Sequence, residues 1–338
     1  MERRRVLFSL AFEGDEPLQS YVRFSSLMEQ YDFYSFQSYD HLMYKPAWPV
    51  LFTIATHTKR LQLGPVTTQP FFVHPALTAA NLACLDELSG GRALIGLSRG
   101  FGSYLEMLSL KPHRPIAAVR EAVEIIDQLI RGSRKPYRGM VFHTSNDTYL
   151  RWTPRRTRIP IFIGTWGPRM FQLAGKMDAV VGTVTDTLWN PNFVPIIKEN
   201  LARGARKVGR DPESLLIGAR PLTSISKDRE LAEETGRSAL AHYLPHLSSL
   251  SKFAGIDVQE IQTVKAAIEE NDFARAENSL SERSLRNFTA SGTPDEIIEQ
   301  TEEMVKAGVN HIIYGYPLGP SREEAIRLIG EEVIPHFR

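Results

Sequence analysis

Short runs of β-branched and aromatic residues alternate with longer stretches of helical periodicity along almost the whole chain. Residues 6–12, 33–39, 61–68 and 93–98 predict four strands, and 159–164, 179–185, 215–225 and 309–314 predict four more. Residues 18–30, 74–89, 116–131 and 168–176 predict helices between them. In 74–89 the spacing of Leu77, Ala80, Cys84 and Leu88 predicts an apolar face turned to the core, and Gly90-Gly91 stops the helix. Thr293-Pro294-Asp295-Glu296 and Ser321-Arg322-Glu323-Glu324 read as capping boxes that start two late helices.

Strands separated by helices pair in parallel through right-handed crossovers. About eight of them match a closed α/β TIM (β/α)8 barrel. An open doubly wound sheet has the same alternation, but no G-x-G-x-x-G follows the first strand. One domain, 1–338, is expected, carrying two excursions. Residues 133–158 are polar and proline-bearing with a hairpin-like 139–144, and 244–286 are helical.

Composition narrows the function. The chain has 338 residues, 42% of them hydrophobic, which is ample for a large core and a cofactor pocket. Its 40 basic and 39 acidic residues nearly cancel, so no electrostatic case exists for nucleic acid or a membrane surface. Residues 1–5 are basic, but only a strand's length of apolar sequence follows, so neither signal peptide nor membrane span is expected. Cys84 is the one cysteine. It allows no internal disulfide, fits a reducing cytoplasm, and reads as a small core residue. The nine histidines are scattered without metal-ligand spacing, so no metal is expected.

The passage His74-Pro75-Ala76 through Leu85-Asp86-Glu87-Leu88-Ser89-Gly90-Gly91-Arg92 to Gly96 resembles the bacterial-luciferase-like superfamily. Within it, the chain is similar to the branch that uses the deazaflavin coenzyme F420, which includes methylenetetrahydromethanopterin reductase. Tyr39-Asp40-His41, Gly167-Pro168 and the ending Leu318-Gly319-Pro320 through Ile334-Pro335 carry the same likeness. It implies a luciferase-like TIM barrel and an enzyme that binds F420, or FMN as in the monooxygenases of the superfamily. It also implies a small-molecule substrate and a homodimer.

The resemblance assigns sites strand end by strand end. Asp40 and His41 follow the second strand, where barrel active sites gather. His41 is placed to donate to a flavin ring or to exchange a proton; the position equally suits a histidine that satisfies a loop carbonyl. Val66, Thr67 and Thr68 close the third strand, where the resemblance implies a non-prolyl cis peptide at Val66–Thr67 against the ring. Ser98-Arg99-Gly100 end the fourth. Thr165-Trp166-Gly167-Pro168-Arg169 join a strand to a helix start, whose backbone N–H groups suit a phosphate, with Arg169 as a fork. Thr183 on the sixth strand joins the cofactor set. Tyr44, Trp48, Phe101 and Tyr104, with Phe71 and Phe72, are the aromatic candidates for a wall over a planar ring, the first four as substrate contacts.

The pattern breaks at two places. The reductase branch has a glutamate where this chain has Ala11 and an acidic residue where it has Phe101. Glu13, two residues on, is the substitute candidate beside His41 for proton handling, and it works only if its loop folds inward; a glutamate there is otherwise a solvated loop residue. The leading expectation is hydride transfer between F420 and an organic substrate. An FMN-dependent monooxygenase, favoured by Arg99-Gly100, and a non-catalytic flavin-binding barrel remain the alternatives.

Overall fold

A computed structural model describes residues 5–250 and 254–338. Eight parallel strands form the barrel: β1 (Leu7–Phe12), β2 (Ser35–Ser38), β3 (Gln62–Pro65), β4 (Ile95–Leu97), β5 (Ile161–Gly164), β6 (Val180–Asp186), β7 (Leu216–Arg220) and β10 (His311–Leu318). The hydrogen-bonded order is β3-β2-β1-β10-β7-β6-β5-β4. Parallel bridges Leu63–Ala93 and Thr68–Leu97 join its two ends and close the ring.

The strand expected over 215–225 is divided. Pro221 has no N–H for the ladder, so β7 stops at Arg220 and a second piece, β8 (Leu222–Ile225), pairs with the far half of β10. On its other side β8 holds β9 (Thr289–Gly292), a strand the periodicity did not mark. Pairing with β8 makes this short Thr-Ala-Ser-Gly segment a strand.

One inward side chain after another fills the barrel: Ala11, Tyr39, Val66, Leu94, Phe162, Val184 and Ile313 form a cluster of their own. Below it lies a polar layer. His311 Nε2 is 2.8 Å from Ser9 Oγ, Ser35 Oγ donates to Ser9 Oγ at 2.7 Å, and Gln37 Nε2 donates to Ser35 Oγ at 3.1 Å. Burial pushes the His311 pKa down from 6.5 to about 3, with the Arg220 charge adding to it.

Helices cover the outside. On α3 (Pro75–Leu88) the structure reverses the expected face: Thr78, Ala79, Leu82, Ala83 and Leu85 are buried. Leu77 and Leu88 are 61% and 46% exposed, and Cys84 is exposed, not a core residue. Both sides of this helix are apolar, so spacing could not choose between them, and packing against the barrel did. The first excursion folds back on α5 (Pro115–Ile130): the buried Glu121 carboxylate accepts from the backbone N–H groups of Met140, Val141 and Phe142 at 2.8–3.0 Å. Arg138 and His143 bridge as the expected hairpin. The second excursion is helical, as expected, with Val258–Glu269, Phe273–Asn278 and Glu282–Phe288. Thr293 and Glu296 form the full capping box, whereas at Ser321 only the serine half is made.

Candidate active site

A cavity of about 390 Å³ opens at the C-terminal ends of the strands, where a (β/α)8 barrel gathers its loops. Asp40 and His41 enter it after β2, Thr67 and Gln69 after β3, and Ser98 to Phe101 after β4. Gly164 to Met170 enter after β5, Asp186 from the end of β6, and Arg220 from the end of β7. A short helix, α4 (Gly102–Met107), brings Tyr104 over the same space.

His41 is the centre of one wall. Its Nδ1 is 2.9 Å from Glu13 Oε2, at ion-pair distance but without the alignment of a hydrogen bond. Glu13 is 2% exposed, so it is a buried carboxylate, not a solvated loop residue. Tyr243, at the end of α8 (Arg229–Tyr243), donates to Glu13 Oε1. Tyr21 donates to the Glu13 carbonyl at 2.5 Å and accepts from Glu16 N at 2.8 Å, which turns the chain inward after β1. Burial, reinforced by the Glu13 charge, raises the Tyr243 pKa well above its ordinary value, so this phenol stays a donor. Tyr39, Phe101 and Tyr104 pack around the imidazole with ring centres 4.9–5.9 Å away.

Arg220 builds the floor. It is fully buried, and its guanidinium grips Asp186 with both arms, Nε to Oδ1 at 2.9 Å and Nη2 to Oδ2 at 2.7 Å. Its remaining arm donates to the carbonyl of Val66, and its plane lies 4.2 Å from the Tyr39 ring centre. Burial alone would lower its pKa; Asp186, together with Tyr39 and Glu13, more than offsets burial and raises it. The Val66–Thr67 peptide bond is cis. Thr67 Oγ1 donates to Ser98 Oγ at 3.0 Å, and Gly164 lets Thr67 approach: a Cβ there would lie 2.4 Å from Thr67 Cγ2.

The opposite end of the cavity is the turn into α6 (Pro168–Lys176). Of the backbone N–H groups of Thr165–Gly167, two are engaged within the protein. Thr165 N donates to Val184 O and Gly167 N to Thr165 Oγ1, each at 3.0 Å. The Thr165 hydroxyl, the helix start and the Arg169 side chain are left to meet an anion. Trp166 Nε1 donates to Asp186 O at 2.7 Å, and its ring centre lies 6.1 Å from that of Phe101. The cavity therefore has an aromatic wall and a helix N-terminus at one end, with Gln69 in its lining. That set fits a planar heterocycle with a phosphate-bearing tail. Among the described residues no His/Cys/Asp/Glu group could hold a metal ion.

The sequence profile of the luciferase-like monooxygenases matches residues 6–311. The chain belongs to that family. It is 32% identical over 305 residues to a 5,10-methylenetetrahydromethanopterin reductase of Archaeoglobus fulgidus, covering 88% of this chain and 90% of the relative. It is 28% identical to an F420-dependent glucose-6-phosphate dehydrogenase of Microbacterium testaceum, covering 86% and 83%. The structure of the coenzyme F420-dependent tetrahydromethanopterin reductase from Methanopyrus kandleri superposes with a TM-score of 0.92 at 29% identity, over 99% of this chain and 100% of that one.

Against this luciferase-like frame the residues marked by sequence divide cleanly. Asp40, His41, Thr67, Ser98, Arg99, Gly100, Phe101, Tyr104 and the Thr165–Arg169 turn all line the cavity. Val66 is buried behind it, and Thr68 reaches it indirectly, donating to Asp40 Oδ2 at 2.5 Å. Thr183 is fully buried and does not line it; it pairs with Ile163, whose side chain faces the outer core. Trp48 packs on Phe52 outside it, and Tyr44 is 44% exposed beside His41. Sequence reasoning missed Gln69, Asp186, Arg220 and Tyr243. The available signal was charge set in apolar strand sequence, Arg220 within the 215–225 run and Asp186 directly after 179–185, where burial demands a partner.

Proposed function

We propose that this luciferase-like chain is a coenzyme F420-dependent oxidoreductase that moves a hydride between the deazaflavin and a small organic substrate. The observation that supports it is the make-up of the cavity at the C-terminal ends of the strands, on a fold shared over 99% of this chain with an F420-dependent reductase. When bound, the deazaflavin supplies the hydride chemistry. The protein's part is to bind, orient and manage a proton. The Thr165 hydroxyl, the start of α6 and Arg169 hold the phosphate. Phe101 and Trp166 cover the ring and exclude water. His41 keeps Nδ1 toward Glu13, which leaves Nε2 to give or take the substrate proton. Glu13 steadies the imidazole in this orientation, itself held by the Tyr243 hydroxyl. This arrangement replaces the carboxylates that the reductase resemblance puts at Ala11 and Phe101.

We place the protein in the cytoplasm and assign it a homodimeric state, with the exposed apolar face of α3 as the contact. Equilibrium titration with F420 and with FMN tests the cofactor assignment. Tight binding of F420 is expected. Tight binding of FMN alone would move the protein to the oxygen-using members, and binding of neither would make it a non-catalytic barrel.

A further inference from the structure

Residues 13–16 turn the chain from β1 into the helix Leu18–Met28, and the turn begins with the carboxylate that faces His41. Gly14 ties it to the loop that carries His41. Lys45 N donates to Gly14 O at 3.0 Å, and a Cβ on Gly14 would lie 2.4 Å from Lys45 O, so a larger residue would push the two backbones apart. Asp15 and Glu16 meet a residue from near the end of the chain. Arg322, the first residue of the helix Arg322–Leu328, donates to Asp15 with both arms, Nη1 to Oδ1 at 2.9 Å and Nη2 to Oδ2 at 2.5 Å. Nη1 also donates to Glu16 Oε1 at 3.2 Å. The Arg322 side chain is 15% exposed, and those of Asp15 and Glu16 are 30% and 35% exposed.

A two-armed pair of this kind fixes geometry as well as adding attraction. The Arg23–Glu323 pair joins the same two helices through a single arm at 3.4 Å, with both side chains exposed, and contributes little. Arg322 also reaches Glu13 by a second route. Its Cζ lies 6.0 Å from the Tyr316 ring centre, that ring lies 5.9 Å from the Tyr243 ring, and Tyr243 donates to Glu13. Arg322 itself does not line the cavity. We infer that Arg322 is a positioning residue for the reaction: it locks the 13–16 turn, which sets Glu13 against His41 and, through Gly14, holds the His41 loop. The inference rests on the proton role proposed above for His41 and names what keeps that group in place.

Full-length wild type, Arg322→Met and Arg322→Lys are compared in two measurements. The first needs no cofactor: hydrogen–deuterium exchange at residues 13–16 and 41–46, where the amides of Glu16 and Lys45 report on the lock. Arg322→Met should exchange about tenfold faster in both segments and as wild type elsewhere. Its thermal midpoint should hold, because the freed Asp15 and Glu16 can reach water. The second is steady-state turnover with reduced F420 and 5,10-methylenetetrahydromethanopterin as the probe substrate. Here kcat should fall about tenfold in Arg322→Met, with the F420 Kd changed by less than about twofold. Arg322→Lys keeps the charge without the fork and should recover part of both effects. Arg23→Met, which breaks the exposed pair between the same helices, should match wild type in both. Combined with Glu13→Gln, Arg322→Met should cost less than the product of the two single losses, since both act on one pair. Wild-type exchange in both segments of Arg322→Met overturns the lock. Faster exchange with undiminished kcat, or losses that multiply fully with Glu13→Gln, overturns the positioning role. A midpoint several degrees lower, with F420 binding weakened alike, makes Arg322 a folding residue and also overturns it. A wild type that binds F420 but does not turn the probe over takes down the proton role of His41 and that of Arg322 with it, while exchange still decides the lock.

Discussion

The Nδ1 atom of His41 lies 2.9 Å from Oε2 of Glu13, although the two residues belong to the ends of different strands. The parallel pairing of β1 with β2 runs Phe12 beside Ser38, so the two chains leave the barrel together and their next residues converge. Replacing His41 by Ala should lower turnover by about a hundredfold, the usual contribution of a placed acid–base group. Glu13→Gln keeps the shape and an acceptor for Tyr243 but loses the charge facing the imidazole, so a smaller loss is expected. Steady-state turnover at saturating cofactor checks both. A His41→Ala enzyme with full turnover and weakened F420 binding would make His41 a binding group.

Arg220 and Asp186 form the cavity floor as one unit. Arg220→Met leaves Asp186 without its cation and the Val66 carbonyl without its donor. The expected cost is about 3–5 kcal/mol, as for a buried pair broken on one side, read as a lower urea midpoint. Pairing it with Asp186→Asn should recover part of that loss. Additive losses in the double variant would show that the two residues do not act together.

Gly167 is the residue to alter at the end of the cavity proposed for the phosphate. Its backbone is at φ −99°, and a Cβ would meet nothing nearer than Thr165 Oγ1 at 4.0 Å. Gly167→Asp should therefore fold with undiminished stability, since Asp caps a helix well. It should also repel the cofactor phosphate and weaken F420 binding at least tenfold. Equal affinity in the variant would place the phosphate elsewhere.

His311 makes the fold sensitive to acid. Its folded-state pKa, about 3, lies below the ordinary 6.5. Between those values the unfolded chain binds a proton that the folded chain refuses, so stability falls as pH falls through that window. The slope is about 1.4 kcal/mol per pH unit for one proton. His311→Gln keeps a partner for Ser9 and should flatten the decline between about pH 6 and pH 4. Denaturation midpoints of both proteins across that range decide it.

The exposed side of α3 bears on assembly. Leu77→Lys introduces charge where Leu77 and Leu88 stand exposed. If that face joins two copies, the variant should shift from dimer to monomer mass in sedimentation. A wild type of monomer mass at every concentration would rule the assignment out.

Much of this protein was legible in its sequence because the relevant signals are local. Strand runs, helix periods and the Thr293 cap depend on residues within a few positions of one another. So does the Gly167-Pro168 turn; these were found where expected, save that Pro221 divides the strand over 215–225 and β9 carried no periodicity of its own. The face of α3 was misread because Leu77 and Leu82 are equally apolar, and only the neighbouring barrel distinguishes the side that is buried. Glu13 became a buried partner of His41 because Tyr21 and Tyr243 fold it in, and Tyr243 is 230 positions away. Arg220 meets the Val66 carbonyl across 154 positions. No periodicity records such meetings. They arise when the ring of strands closes and brings distant strand ends to one mouth, where a charge that cannot reach water must find a partner in the protein.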